Sequence, residues 1–295
     1  MSSDQATLRT PGIFSKYLSL IKFSHTVFAL PFALIGFTLA VAYEQQTFRW
    51  HLLLLMLLCM VFARSAAMAF NRYLDRKFDA LNPRTAVREI PAGIIKPQHA
   101  LLFTIANCIL FVVTTYFINT ICFFLSPVAL FVILFYSYTK RFTALCHLVL
   151  GIGLSLAPIG AYLAVTGYFD IVPLFFSFAV FTWTAGFDII YSLQDEEFDR
   201  GQRLHSIPAA LGKRRALWVS NLLHFFSAAF IIAAGYYAQL GIVYWTGTTI
   251  FCGLLIYQHL LVKPDDLSRV NMAFATTNGI ASITFSLFVI ADLLL

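Results

Sequence analysis

Apolar residues run along this chain in long blocks that are hydrophobic on every side, separated by short polar stretches. Blocks of about twenty such residues suit a helix that crosses the hydrocarbon core of a bilayer, whereas a barrel strand needs only about ten. All-round apolarity leaves little amphipathic period to read, so boundaries come from charges, Gly and Pro. The pattern predicts an all-α integral membrane protein with nine transmembrane helices. They fall roughly at 17–43, 50–74, 98–118, 120–139, 145–166, 171–194, 214–236, 240–262 and 270–293. Pro31, Pro127, Pro158 and Pro173 lie inside or at the ends of these blocks, where kinks are tolerated. Ile118-Asn119-Thr120 is the only break between the third and fourth. Residues 1–15 are polar and read as a loose or interfacial lead-in, and the whole of 1–295 reads as one domain.

Composition agrees with the pattern. Only 12% of the 295 residues are charged and 60% are hydrophobic, against about 25% charged in a soluble domain. The lipid bilayer is therefore an expected partner, and no nucleic acid is. The placement of the +6 net charge is more telling than its size. Arg9, Lys16 and Lys22 fall on one side of the predicted spans, with Arg76, Lys77, Arg84, Arg88 and Lys96. Lys140, Arg141, Arg200, Arg203, Lys213, Arg214, Arg215, Lys263 and Arg269 join them, while Arg49 alone faces the other side. Lys and Arg favour the cytoplasmic side, so the N-terminus is expected inside and, after nine spans, the C-terminus outside. Cys59, Cys108, Cys122, Cys146 and Cys252 lie in or beside apolar blocks without Cys-x-x-Cys spacing and read as small apolar residues.

Two acidic stretches interrupt the oily pattern. As a helix, Arg64, Asn71, Asp75 and Asp79 fall within roughly 80° of one another and share a face. The device recurs as Asp188, Tyr191, Asp195 and Asp199, which on a continuous helix also share a face. Each stretch closes an even-numbered span, the second and the sixth, and is followed by a basic loop and an Ile-Pro-Ala phrase, at Ile90 and Ile207. Two four-helix pseudo-repeats plus a ninth helix, around a central cavity, give this spacing, although so short a phrase also recurs by chance.

Carboxylates one turn apart repel unless a cation sits between them. Mg²⁺ prefers oxygen and is usually held by one or two carboxylates plus substrate phosphates. Asp75, Asp79, Asp195 and Asp199 are thus candidate metal ligands for a Mg²⁺-bound pyrophosphate, against the plain reading of solvated helix ends. Arg64 lies more than two turns inside its span and reads as a cavity wall donating to phosphate, or else as one half of an ion pair. Arg72 either joins that wall or snorkels to the surface. Lys140 and Arg141 are interfacial anchors or a pair of substrate-binding cations. On a regular helix they point about 100° apart, which assigns Lys140 to the pyrophosphate and the forked Arg141 to an acceptor carboxylate. Asp188 either pairs with a buried Arg such as Arg64 or lines the acceptor pocket, and Tyr191 is placed to hydrogen-bond the leaving group. His25, His51, His147, His224 and His259 show no ligand spacing, whereas His205 lies in the second basic loop.

Asn71-x-x-x-Asp75-x-x-x-Asp79 with Arg84-Thr85, followed by Asp188-x-x-Tyr191-x-x-x-Asp195-x-x-x-Asp199, resembles the UbiA superfamily of intramembrane aromatic prenyltransferases. The likeness extends over nearly the whole chain, including Tyr136-Ser-Tyr-Thr-Lys-Arg141. Within the superfamily, the pattern is similar to the 4-hydroxybenzoate polyprenyltransferases and a menaquinone-pathway offshoot. The resemblance implies transfer of a polyprenyl group from polyprenyl diphosphate to a hydroxyaromatic acid, with Mg²⁺ as cofactor, in a bacterial inner membrane. It implies catalytic and metal roles for Asp75, Asp79, Asp195 and Asp199, with Arg64, Asn71, Lys140 and Tyr191 assisting. The chain departs from many members at Arg72, where they have Asp, at Glu89, where they have Pro, and at His205, before Ser206. These departures leave a hydroxynaphthoate acceptor open beside 4-hydroxybenzoate. A transporter would instead carry polar residues right through the membrane, yet here they gather at one end. A non-catalytic assembly subunit would have no need of intact Asp pairs.

Overall fold

The computed structural model describes residues 13–21 and 28–295. Arg9, Lys22, His25 and most of the polar lead-in lie outside the described residues. Among those described, the regular elements are helices. They begin with α1 (Ile13–Leu20), α2 (Leu30–Thr38, extended by a π turn to Tyr43), α3 (Trp50–Leu81) and α4 (Pro97–Tyr116). Next come α5 (Thr120–Thr139), α6 (Cys146–Thr166) and α7 (Ile171–Ser192), then a 3₁₀ turn (Leu193–Asp195). The chain closes with α8 (Glu196–Gly201), α9 (Ile207–Leu211), α10 (Lys213–Tyr237), α11 (Ile242–Leu261), a π turn (Met272–Thr277) and α12 (Asn278–Leu294).

Seven runs among the described residues are long and apolar enough to cross a membrane. They are α3, α4, α5, α6, the stretch Ile171–Gly201, α10 and the stretch Met272–Leu294. The expected nine are not all matched by this measure. Leu30–Tyr43 is apolar but short, and α11, although 20 residues long, is diluted by Thr246, Thr248, Thr249, Gln258 and His259. The weak break before the fourth span is real. The Asn119 carboxamide accepts from Cys122 N at 2.9 Å, capping α5, and donates to the Leu163 carbonyl at 2.8 Å, which ties the start of α5 to the end of α6.

Small residues let these helices meet backbone to backbone, as association inside a bilayer requires. A Cβ on Gly36 would lie 2.0 Å from the Pro158 carbonyl oxygen of α6, and one on Gly151 would lie 2.4 Å from the Phe181 carbonyl oxygen of α7. Gly36→Val is therefore expected to force α2 off α6 and lower the unfolding temperature in detergent by several degrees, roughly 2–4 °C for each kcal/mol lost. An unchanged melting curve would contradict this packing.

The largest apolar core lies among α2, α6, α7, α10, α11 and α12, around Phe32, Phe176, Trp183, Phe251 and Phe285. Trp183 Nε1 donates to Asn278 Oδ1 at 2.9 Å, so the indole is buried with its polar atom satisfied. Asn278 in turn donates to the Ala273 and Phe274 carbonyls, which the π turn before α12 releases from the regular ladder. This solid half braces α7, one wall of the site. The opposite half, around α3 and α5, leaves a cavity.

Candidate active site

α3 does not stop where its apolar stretch ends. It continues through Leu81, so Asn71, Asp75 and Asp79 stand on one regular helix as their spacing requires. Asn82 ends it: its Oδ1 accepts from Arg84 N at 3.0 Å and turns the chain back. Thr85 Oγ1 then donates to the Asp79 carbonyl at 3.0 Å. These bonds fold the loop 82–89 across the end of α3 and deliver Arg84 and Arg88 to the acids.

The second acidic stretch is built differently from expectation. Ser192 Oγ bonds the Ile189 carbonyl and Gln194 Nε2 bonds the Tyr191 carbonyl. Such side-chain bonds compete with the helix ladder, and the chain passes through the 3₁₀ turn Leu193–Asp195 before α8. Asp188 and Tyr191 therefore belong to α7, Asp195 ends the turn and Asp199 belongs to α8, so the four do not share one continuous helix face.

A cavity of about 920 Å³ opens at this level. Arg64, Asn71, Arg72, Asp75, Asp79, Lys140, Asp188, Tyr191, Asp195 and Asp199 all line it. Its deeper wall is apolar, with Met56, Phe111, Val132, Leu150 and Leu156. Arg141 is the one candidate among the predicted site residues that does not line it. His205 is exposed and lies outside the lining as well.

Of the four Asp at the mouth, Asp75, Asp79 and Asp195 are each held by a cation. The Asp75 side chain is 3% exposed and receives Lys140 Nζ on Oδ2 at 2.8 Å and Arg141 Nη2 on Oδ1 at 2.9 Å. Asn71 Nδ2 donates to the same Oδ2 at 3.2 Å. Lys140 and Arg141 thus meet the same acid, one on each of its oxygens. α5 ends at Thr139 and the chain turns, so the 100° argument for a regular helix does not apply. Arg141 also donates to the Ser137 and Leu74 carbonyls, bridging α5 to α3. Arg88 Nη1 meets Asp79 Oδ1 at 2.7 Å. Asp79 Oδ2 is buried without a hydrogen-bond partner. Arg84 embraces Asp195 with Nε at 3.0 Å and with Nη2, and its Nη1 donates to the Tyr191 hydroxyl at 2.8 Å. Burial works against the Arg84 charge, but Asp195 and Tyr191 outweigh it and hold its pKa above the usual arginine value. Tyr191 is fixed by stacking on Phe274, ring centroids 4.2 Å apart.

Asp188 does not pair with Arg64. Its Oδ2 lies 2.7 Å from His147 Nδ1, and His147 Nε2 accepts from Ile207 N at 3.3 Å. The acceptor role of Nε2 places the proton on Nδ1, toward the carboxylate. His147 therefore links α6, α7 and the start of α9, although its spacing along the chain carries no signal.

Among the described residues, no three His, Cys, Asp or Glu side chains stand close enough together to hold a metal ion. The four Asp face one cavity without converging, and Arg84, Arg88, Lys140 and Arg141 pair with three of them. The residues still fit a hard divalent cation. The donors are oxygens, and one of them, Asp79 Oδ2, is buried and unsatisfied. Arg84, Arg88 and Asn82, which also donates to Asp195 at 3.1 Å, escape a sequence reading because they look like members of a basic loop that marks sidedness. In the sequence, Arg84-Thr85 is the signal that marks them.

Fold and site together define an integral membrane protein with a charged mouth over an apolar cavity. The chain belongs to the UbiA prenyltransferase family, whose model matches residues 29–283. A 4-hydroxybenzoate octaprenyltransferase of Tolumonas auensis is 30% identical over 223 residues, covering 76% of this chain and 78% of that protein. The apo structure of a UbiA homologue from Aeropyrum pernix K1 superposes with a TM-score of 0.82 at 33% identity, over 91% of this chain and 98% of that one. A UbiA homologue from Archaeoglobus fulgidus, solved bound to DMAPP and Mg²⁺, has the same fold, with a TM-score of 0.74 at 22% identity over 95% and 100% of the two chains.

Proposed function

We propose that this protein transfers a polyprenyl group from polyprenyl diphosphate to 4-hydroxybenzoate in respiratory quinone biosynthesis. The observation that carries the reading is the pairing of four Asp and several cations at the mouth of a roughly 920 Å³ cavity with an apolar interior. The names of the curated relatives support the acceptor, and membership of the family supports the chemistry.

Asp75, Asp79, Asp195 and Asp199 would hold Mg²⁺, whose chemistry is to neutralise charge on the leaving diphosphate. Lys140 and Arg84 shift from carboxylate toward the phosphate oxygens, and Tyr191 donates its hydroxyl. The allylic C–O bond breaks and the electron pair leaves with diphosphate. Arg64, Asn71 and the mouth cations stabilise that charge as it develops. The apolar wall and nearby aromatic faces keep water from the allylic carbon. The ring carbon beside the phenol forms the new C–C bond, and its proton departs to diphosphate. Asp188, held by His147, lines the acceptor side.

The proposed architecture is one domain over 1–295 with two four-helix halves and a ninth helix. Leu30–Tyr43 and α11 join the seven long apolar runs to make nine spans. The Lys and Arg loops place the mouth and the N-terminus in the cytoplasm and the C-terminus outside, in a bacterial inner membrane. Pro83 is exposed at the mouth. A cysteine placed there should react only with reagents that reach the cytoplasm; labelling of intact cells by an impermeant maleimide would overturn the orientation.

The functional reading is tested by giving purified protein 4-hydroxybenzoate and hydroxynaphthoates in parallel, with donors of several chain lengths, and identifying products by mass. Prenylated 4-hydroxybenzoate is the expected product. Prenylated hydroxynaphthoate alone would move the protein to menaquinone biosynthesis.

A further inference from the structure

The pairing described above leaves out Arg72. It is 5% exposed and lines the cavity from α3. Its Nε has no hydrogen-bond partner. Arg84, Arg88, Lys140 and Arg141 each meet a carboxylate within 4 Å, and among the described residues Arg72 makes no such pair. A buried guanidinium without a carboxylate in direct contact is unfavourable in any protein and more so inside a membrane span. A cavity-lining cation of this kind is a place for an anionic group of a ligand.

We infer that Arg72 binds the carboxylate of the aromatic acceptor and thereby selects hydroxyaromatic acids over simple phenols. The inference rests on the prenyl-transfer reading above. Side-chain pairing separates this anion from the diphosphate: Lys140 and Arg84 sit on Asp75 and Asp195, whereas among the described residues Arg72 sits on no acid. Arg72 and Asp79 are seven residues apart, so they share a face with Arg72 about 10 Å further in. The diphosphate belongs at the level of the acids, beside Lys140 and Arg84. Arg72 shares the cavity with the phenol ring of Tyr136 from α5. A planar fork suits a carboxylate, which it grips through two parallel hydrogen bonds. The other charges facing Arg72 are Asp79 on its own helix and Arg88 and Glu89 from the mouth loop. Glu89 is the competing partner. Its Oε1 accepts from Ser19 at 2.5 Å, and its Oε2 is buried without a partner.

The test uses the purified full chain with polyprenyl diphosphate and Mg²⁺. Arg72→Gln should raise KM for 4-hydroxybenzoate tenfold or more while KM for the donor moves less than twofold. Equilibrium binding of 4-hydroxybenzoate without donor should weaken by a similar factor. Phenol, which lacks the carboxylate, should be used equally by parent and variant. Arg72→Lys, which keeps the charge and loses the fork, should fall between them and serves if Arg72→Gln does not fold. An unchanged acceptor KM, or a rise in donor KM instead, overturns the inference. Restoration of the parental acceptor KM in the Arg72→Gln/Glu89→Gln double variant also overturns it, since Arg72 would then only balance Glu89. A parent protein that neither binds nor prenylates any hydroxyaromatic acid defeats the prenyl-transfer reading itself, a result distinct from a parent that does both and an Arg72→Gln that does so equally well.

Discussion

Asp75→Asn is expected to lower kcat by roughly three orders of magnitude, the scale of losing a group that acts on developing charge. It should also soften the protein. Asp75 is buried between Lys140, Arg141 and Asn71, and among the described residues it is the one acid that two cations share. Removing its charge leaves both cations without their counter-ion at the junction of α3 and α5. Breaking a buried pair from one side costs about 3 kcal/mol, which thermal unfolding in detergent should show as a clear drop. Asp195→Asn makes the useful contrast. Arg84 is partly exposed and keeps Tyr191 as a partner, so activity should fall as far while stability falls much less. Equal stability losses in the two variants would contradict the pairing described here.

Withdrawal of divalent cations is expected to have the largest effect of any change of conditions. With excess chelator, turnover should fall to background, and added Mg²⁺ should restore it. The physical reason lies in charge balance. Without a divalent ion, Asp75, Asp79 and Asp195 are paired with Arg84, Arg88, Lys140 and Arg141, and a diphosphate would have to take those cations from the acids. With the ion bound, carboxylates and phosphates no longer compete for the same side chains. Full activity in excess chelator, measured by product mass, would rule out the metal reading of Asp75, Asp79, Asp195 and Asp199.

How much of this could be read from the chain differs from one element to the next. The helical class was legible because the apolar blocks are long and uninterrupted, and the α4–α5 break was legible because Asn119 is a good helix cap. The first acidic row was legible because α3 stays regular through Leu81, so helical spacing translates directly into a shared face. The second row was not, because Ser192 and Gln194 take carbonyls from the ladder and open a 3₁₀ turn at Asp195. The convergence of Lys140 and Arg141 on Asp75 was hidden by the end of α5 one residue earlier. Arg84 reaches Asp195 and His147 reaches Asp188 across long stretches of chain, and no local period records such a contact. The span count rests on its two weakest members. Leu30–Tyr43 is short, and α11 is long enough but carries polar side chains that face its neighbours.

The central claim is that the charged mouth couples loss of diphosphate to bond formation on an aromatic acid. The most direct measurement counts both products in one reaction. Purified protein, Mg²⁺, polyprenyl diphosphate and 4-hydroxybenzoate should yield diphosphate and prenylated acid in a ratio of one to one, with neither formed by Asp79→Asn. Diphosphate released without an aromatic product, or prenylated acid formed equally well by Asp79→Asn, would contradict the account.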